Sequence, residues 1–567
     1  MTEVELVRHE LESRIREHAD AIDKLTAERE QYKKLYMELL ERCKLLEKGI
    51  VVGKKAERFT AGDDPQLALQ ILEMMLAGRD VVVEEVEEEV ELDDADEEDA
   101  DEAEIDRPAP ARRRSRGRRP LPENLPRVEI EVLPPEVVRE GLDAFQRIGQ
   151  VVSEVVERRP ASLVVARIVR PKFVRKDEAP GTVDGDAPEV PAVQIAERLE
   201  LPIERGLAGP GLLADTIVHR WQDHLPANRL EALYARDGLQ LARSTICGWH
   251  EQLADLVEPL VEAMFADAFT QPYLCTDATG VLVQAKEQCQ RAHFWVLVAP
   301  ERHVLFRFSP AHDSEAVDRL LKGYTGYLVA DAHAVYDHLY ASGDVVEVGC
   351  WAHCRRYFFK CLGSEPELAR HALSLVKTLF KIERALATAP RKKRESVRQA
   401  KSKPLVDAFF LWCDQQAAIA LDGTPLARAL GYARNQRIAL QRFLGDGRLP
   451  LENNISERNL RREVIGRKNW LFLGSEEGAR ANTLFVSLLA TCQLHRIEPW
   501  AYLRDLLCLL PSWPRRRVLE LAPAFWQETL KQEDTQQRLA ANVFRSVTLA
   551  DHSPSCEARS IYMFLDR

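Results

Sequence analysis

No apolar run in the 567 residues approaches the roughly 18 needed to span a bilayer, and the opening residues, Met1-Thr2-Glu3-Val4-Glu5, are charged. Neither a membrane-spanning helix nor a secretory signal is expected, and the chain reads as soluble and cytoplasmic. Cysteine is sparse: there are eleven, an odd number, with none between Cys43 and Cys247. That pattern argues against a disulfide framework and for reduced thiols. Positive charge is missing from Glu84 to Asp106, a stretch that holds 16 acidic residues. The net charge of -12 therefore describes one tract, and the rest of the chain is slightly basic. A single small module is also excluded, because this length corresponds to several folded units.

What is present falls into blocks. From Val4 to Ile50 a seven-residue frame can be laid with Ile15, Ile22, Tyr36, Cys43 and Ile50 at a positions and Val4, Leu11, Leu25, Tyr32, Leu39 and Leu46 at d positions. With no Gly or Pro until Gly49, residues 1–59 are expected to form an N-terminal coiled coil that self-associates, the alternative being a lone helix packed on its own protein. Residues 60–126 read as a linker, acidic and then rich in Arg from Arg112 to Arg119. The Arg cluster can contact phosphates and the acidic run can compete for it, or the two can neutralise each other in a solvated linker. Residues 127–200 read as short Val-rich strands followed by a Pro- and Asp-containing linker from Pro171 to Pro191. Within 201–260, RLEALYAR, Asp237-Gly238 and ARSTICGWHEQLA have the order helix, turn, helix. In a helix-turn-helix, Ser244 caps the second helix, and Arg243 and Thr245 face a DNA major groove; any helical hairpin has the same outline.

From Tyr273 the pattern changes. Three β-type runs (273–285, 294–299 and 304–308) precede a helix at Ser314–Leu321, a strand at 327–330, a helix near 335–340, a strand at 345–348 and a helix near Trp351. Three antiparallel strands followed by alternating strand and helix is the order of an RNase H-like core, so the expected class is α/β with a catalytic domain over 270–510. Residues 365–449 look helical throughout, a large helical insertion. Asp277 in YLCTDATG and Asp331 in GYLVADAHAVY follow buried backbone, and Glu457 lies in LENNISERNLRREVIGRKNWLF. Taken singly, each carboxylate can be a turn, cap or surface residue. An RNase H-like order sets the first and fourth strands side by side, and three carboxylates brought together there need cations; hard oxygen ligands suit two Mg²⁺ or Mn²⁺ ions. Arg458, Arg461, Arg462, Arg467 and Lys468 can then hold a DNA backbone and Trp470 can stack on an unpaired base, unless Trp470 and Phe472 are core residues.

CTDATG, VADAHAVY, VGCWAHCRRYFF, ENNISERNLRREVIGRKNWLFLGSEEGARA and TCQLHRIEPWAYLRDLL together resemble the insertion-sequence-66 family of bacterial DDE transposases. The resemblance covers about residues 200–510 well and the N-terminal coiled coil moderately. It implies an RNase H-like DDE catalytic domain whose metal ligands are Asp277, Asp331 and Glu457, and a Cys-x-x-His element, Cys350 and His353, that belongs to the architecture of the core. Read from the residues alone, Cys350, His353 and Cys354 are an incomplete zinc set with no second half-site. The family's Cys-pair zinc element has no counterpart between Cys43 and Cys247, so zinc is not expected; Glu452 also stands where the family has Asp. The resemblance implies a transposase that binds terminal inverted repeats and target DNA, assembles as a homo-oligomer, uses element-encoded accessory proteins where its element supplies them, and works at the nucleoid without membrane contact. Two other classes stay open at this point: an RNase H-like nuclease without strand transfer, and a catalytically inactive DNA-binding regulator. Residues 511–567 read as a C-terminal tail, and from Arg545 on it carries no recognisable motif.

Overall fold

A computed structural model gives the fold, and it describes residues 125–159, 162–175, 193–285 and 288–549, with Leu121. The heptad segment of residues 4–50, nearly all of the charged linker and the residues after Leu549 lie outside the described residues. Two compact units form. One contains residues 347–453 with the short segment 329–332, and the other contains the remaining described residues.

The larger unit opens on a sheet built by branched residues. In it β3 (Ser162–Arg175) runs parallel to β1 (Arg127–Glu131) and antiparallel to β2 (Phe145–Arg159) and the short β4 (Gln194–Ile195). Ile130, Val132, Val155, Val164, Ala166 and Ile168 bury one face against Val543, Phe544 and Val547 of the last described helix. The strands β2 and β3 are longer than the short runs expected from sequence. Pro171 is not a linker residue but lies inside β3, between the stretch paired with β1, which ends at Val169, and the pairing with β4, which begins at Lys172. Its missing N–H therefore interrupts neither of those ladders.

Next come α1 (Pro210–Ile217), α2 (Ala227–Arg236) and α3 (Arg243–Ala268). The turn between α2 and α3 needs a left-handed residue, and Gly238 supplies it with φ 85°. Ser244 does not cap α3: the cap position is Ala242, with no side-chain cap bond, and Ser244 is already inside the helix. Nor does α3 end near Leu253. Val257, Leu260, Val261, Met264 and Phe265 continue its buried stripe to Ala268.

The second sheet has the strand order β7-β6-β5-β8-β9, with β5 (Tyr273–Gln284) central. Its other strands are β6 (Cys289–Ala299), β7 (His303–Ser309), β8 (Gly326–Val329) and β9 (Val345–Val348). Between them, α4 (Ser314–Leu321) is capped by the Asp313 side chain and α5 (Asp337–Ser342) ends at left-handed Gly343. Helices α11 (Asn454–Trp470), α12 (Glu476–Leu494) and α13 (Pro499–Leu509) complete the unit. On the edge strand β7, Phe306 N–H donates to Ser487 Oγ (2.8 Å) and Val304 N–H to Thr491 Oγ1 (3.1 Å). Side chains of α12 thereby satisfy a strand edge that water or another strand would otherwise pair.

The smaller unit contains α6 (Trp351–Lys360), α7 (Pro366–Ala385), α8 (Arg391–Val397), α9 (Lys403–Ala417) and α10 (Pro425–Asn435). Its core is aromatic, with Trp351, Phe358, Phe409 and Phe410 packed edge-on or tilted. The two ends of the 347–453 segment are tied together: Trp351 N–H donates to Leu451 O (3.1 Å), and Asn453 N–H donates to Cys350 Sγ (3.2 Å).

Candidate functional site

Asp277 is the fifth residue of β5, opposite Val296, and it follows three buried residues, Leu274, Cys275 and Thr276. It is neither a turn nor a helix cap. A half-buried carboxylate in the middle of a central strand is poorly suited to a pleated apolar surface, so ordinary strand chemistry does not account for it. Its Oδ1 accepts the N–H of Ala278 at 2.8 Å. Because strand side chains alternate, Asp277 shares a face with Val281 and Val283, and that face is covered by Trp470, Leu473 and Ala479.

Glu457 lies in the first turn of α11, behind the buried Asn453 and Ser456. The helix N-terminus favours a carboxylate there. The helix is moored to β5: Arg467 donates to Gly280 O and Thr279 Oγ1, Leu473 N–H to Leu282 O (2.9 Å), and Gln284 N–H to Leu473 O (2.8 Å). Going from Arg467 to Leu473 moves along β5 from Gly280 towards Gln284, so the two segments run in the same sense. Glu457 stands about 15 Å back along the helix from Arg467, and Asp277 about 10 Å back along the strand from Gly280. Both carboxylates therefore lie at the same end of the pair formed by β5 and α11.

Asp331 belongs to the smaller unit and stands two residues beyond the end of β8, after the buried Leu328, Val329 and Ala330. Its neighbourhood there includes Tyr432, whose phenol is pushed well up by burial first and then by Cys350, Cys354 and Asp331. Among the described residues there is no group of three or more His, Cys, Asp or Glu side chains that could hold a metal ion. Cys350 is fully buried and accepts the Asn453 N–H, while His353 is half-buried on α6.

The basic residues divide into two groups. Arg243 and Thr245 are exposed in the first turn of α3, and Arg458, Arg461 and Lys468 are exposed on one face of α11. Two others serve the protein itself. Arg462 is half-buried and donates to Gln222 Oε1 (2.6 Å) and to Gln493 Oε1, and burial lowers its pKa. Arg467 holds α11 to β5 and is committed to that contact.

The expectation that Trp470 stacks on a base is corrected. Its side chain is 8% exposed and packed with Val281, Val283, Ala292, Phe294 and Leu473, and the indole reaches Gly466 so closely that a Cβ there would stand 2.8 Å from Nε1. The exposed apolar side chains at this place are the next two, Leu471 (67%) and Phe472 (41%), with Leu471 in a left-handed conformation at φ 64°. The inward spacing of Glu463, Gly466 and Trp470 on α11 is the signal that distinguishes core from surface here. Glu463, which the sequence did not single out, is buried, receives the Asn482 amide at 3.2 Å and is pushed up to about 7 by burial.

A family model described as "Transposase IS66 family" matches residues 205–481, and one described as "IS66 C-terminal element" matches residues 487–524. A third, described as "Transposase C of IS166 homeodomain", matches residues 48–130. The uncharacterized protein y4qI of Sinorhizobium fredii is 30% identical over 441 residues, covering 73% of this chain and 78% of the relative. This chain belongs to the IS66 transposase family. Another uncharacterized Sinorhizobium fredii protein, y4hP, is 27% identical over 502 residues, covering 84% of this chain and 86% of its own. The IS66 match contains Asp277, Asp331 and Glu457, the β7-β6-β5-β8-β9 sheet and the helical unit. The match at residues 48–130 falls almost wholly outside the described residues. No described helix of this IS66 chain is long and apolar enough to cross a membrane.

Proposed function

We propose that this IS66-family chain binds the inverted-repeat ends of its element and catalyses metal-dependent DNA cleavage and strand transfer. One observation carries the reading: a half-buried Asp277 in the centre of a sheet ordered β7-β6-β5-β8-β9, on the face where the helix bearing Glu457 is moored. That order supports an RNase H-like core, and the IS66 match, which contains all three residues, supports Asp331 as the third carboxylate. All three are partly exposed hard-oxygen donors, a set that fits Mg²⁺ or Mn²⁺ and does not call for zinc. Two such ions, when bound, activate an attacking oxygen and stabilise the leaving oxygen.

The remaining work falls to the chain. Arg458, Arg461 and Lys468 offset phosphate charge along the exposed face of α11, and Arg243 and Thr245 meet the major groove from the start of α3. Water attacks an end phosphorus and releases a 3′-hydroxyl; that hydroxyl then attacks a target phosphodiester, forming the new P–O bond as the target's own P–O3′ bond breaks and its 3′-hydroxyl leaves. No covalent protein–DNA intermediate is required. The N-terminal heptads make the homo-oligomer that pairs two ends, with element-encoded accessory proteins where the element supplies them. An Asp331→Ala variant is expected to lose all chemistry on border DNA while its end binding stays within about twofold of wild type. Simultaneous loss of binding and chemistry would assign Asp331 to the fold instead.

A further inference from the structure

Helix α7 of the smaller unit has two unlike faces. Ala369, Ala372, Val376 and Leu379 are buried. On the other side Arg370, Ser374, Lys377, Lys381 and Arg384 recur at alternating spacings of four and three residues, and all five are exposed. At about 100° per residue the four cations stay within about 60° of one another around the helix, in a row about 21 Å long. No Asp or Glu occurs from Leu368 to Ile382. Glu383, the one carboxylate near the end of the helix, is occupied by Arg398 at 2.7 and 2.9 Å.

The neighbouring helices show what an ordinary solvated face looks like in this unit. Arg391 pairs with Glu395 (2.9 Å), Lys403 with Asp407 (2.7 Å) and Arg437 with Asp414 (2.5 Å). Among the described residues, none of Arg370, Lys377, Lys381 and Arg384 has a carboxylate in salt-bridge reach. Like charges three and four residues apart cost a helix a few tenths of a kcal/mol per pair. The row is thus an uncompensated, regular array of positive charge on a rigid element, the complement of a regular polyanion.

We infer that α7 is a sequence-independent docking surface for the DNA phosphate backbone, an inference that rests on the transposase reading above. A 21 Å row faces about six base pairs of duplex, where several phosphates are within reach of four long cationic side chains. Such contacts hold DNA in place and carry no base information. The helical unit then contributes grip on DNA in addition to the residues of α3 and α11.

The test compares the full-length protein with a variant carrying Arg370→Gln, Lys377→Gln, Lys381→Gln and Arg384→Gln. Binding to a random-sequence duplex is followed by fluorescence anisotropy from 50 to 200 mM salt, with far-UV circular dichroism and melting as fold controls. At about 0.9 per phosphate contact, the slope of log K against log salt should shrink by about 3 to 4, equally for random and end DNA. If the fourfold variant melts early, the Lys377→Gln, Lys381→Gln pair should still remove about 2. An unchanged slope in a folded variant, with wild-type binding intact, overturns this inference alone. An unchanged slope with altered self-association would assign the row to an acidic protein segment such as Glu84 to Asp106, and also overturns it. Wild-type protein that binds no DNA overturns both this inference and the transposase reading.

Discussion

Arg398 offers the sharpest test of how the helical unit is held. It sits 1% exposed in a single π-helical turn, Arg398–Ser402, between α8 and α9. All five of its N–H groups are used. Nε and Nη2 donate to Glu383 at 2.9 and 2.7 Å; Nη1 donates to Phe443 O and Asp446 O at 2.7 and 2.8 Å, and Nη2 also to Leu449 O at 2.9 Å. Replacement by alanine strands the Glu383 charge, which is about 3–5 kcal/mol for a broken buried pair, and leaves three carbonyls to find other donors. Partial relaxation offsets some of this, so Arg398→Ala should destabilise the unit by about 4 kcal/mol, near a thousandfold in its opening equilibrium. Hydrogen exchange read by mass spectrometry on peptides from 391–449 measures it, with peptides from β5 to β7 as the internal control. Combining Arg398→Met with Glu383→Leu should recover most of the loss, because removing both charges leaves no stranded ion. A loss below about 1 kcal/mol for Arg398→Ala, or a double variant no better than the single, would refute this reasoning.

Further outcomes follow from other buried groups and from the exposed ones. Glu157 is fully buried, accepts the Arg158 and Leu212 N–H groups at 2.8 Å, and is pushed up to about 8 by burial. Its folded pKa lies above the ordinary 4.5, so the folded state holds a proton that the unfolded chain releases; stability should be full below about pH 4.5 and fall by a few kcal/mol towards pH 8, and Glu157→Gln should flatten that part of a denaturation–pH series. Trp470→Ala should cost about 3–5 kcal/mol by emptying a core site, whereas Trp470→Phe should keep DNA affinity within about twofold; a Phe variant that folds normally but loses single-strand binding would restore the stacking role. Arg243→Ala should leave melting unchanged and weaken end-specific binding by about 1–3 kcal/mol relative to random duplex, as measured by competition; equal loss on both DNAs would make Arg243 a phosphate contact instead.

The alternation of strand and helix from Tyr273 to Trp351 is legible in sequence because short branched and aromatic runs are separated by polar turns, and each run buries one or both faces. Asp277 and Asp331 stand out for the same reason, since each is a charged residue that directly follows an apolar run. Three features are hidden for physical reasons. Pro171 reads as punctuation, yet it lies where β3 changes partners, and only the sheet pairing reveals that its missing N–H is harmless. Arg398 is lost among six other Lys and Arg residues in RKKRESVRQAKSK, because sequence says nothing about which cation of a basic run faces inward. Trp470 is ambiguous in sequence, because Gly466 four residues earlier leaves room for an indole lying back over the helix while the neighbouring basic residues favour a DNA surface. Ser244 shows the limit of capping signals, since the helix begins one residue before it, after Ala242, which makes no side-chain cap bond.

The central claim is tested most directly by joining. Purified protein and its Asp277→Asn, Asp331→Asn and Glu457→Gln variants are incubated with Mn²⁺, border DNA of the element and a plasmid target, and the products are sequenced across every new junction. The account predicts element ends joined to target through their 3′ strands by wild type alone, with all three variants still retarding border DNA. Nicked ends without joins would make the protein a nuclease, and bound DNA with no product from any of the four would contradict an active DDE site.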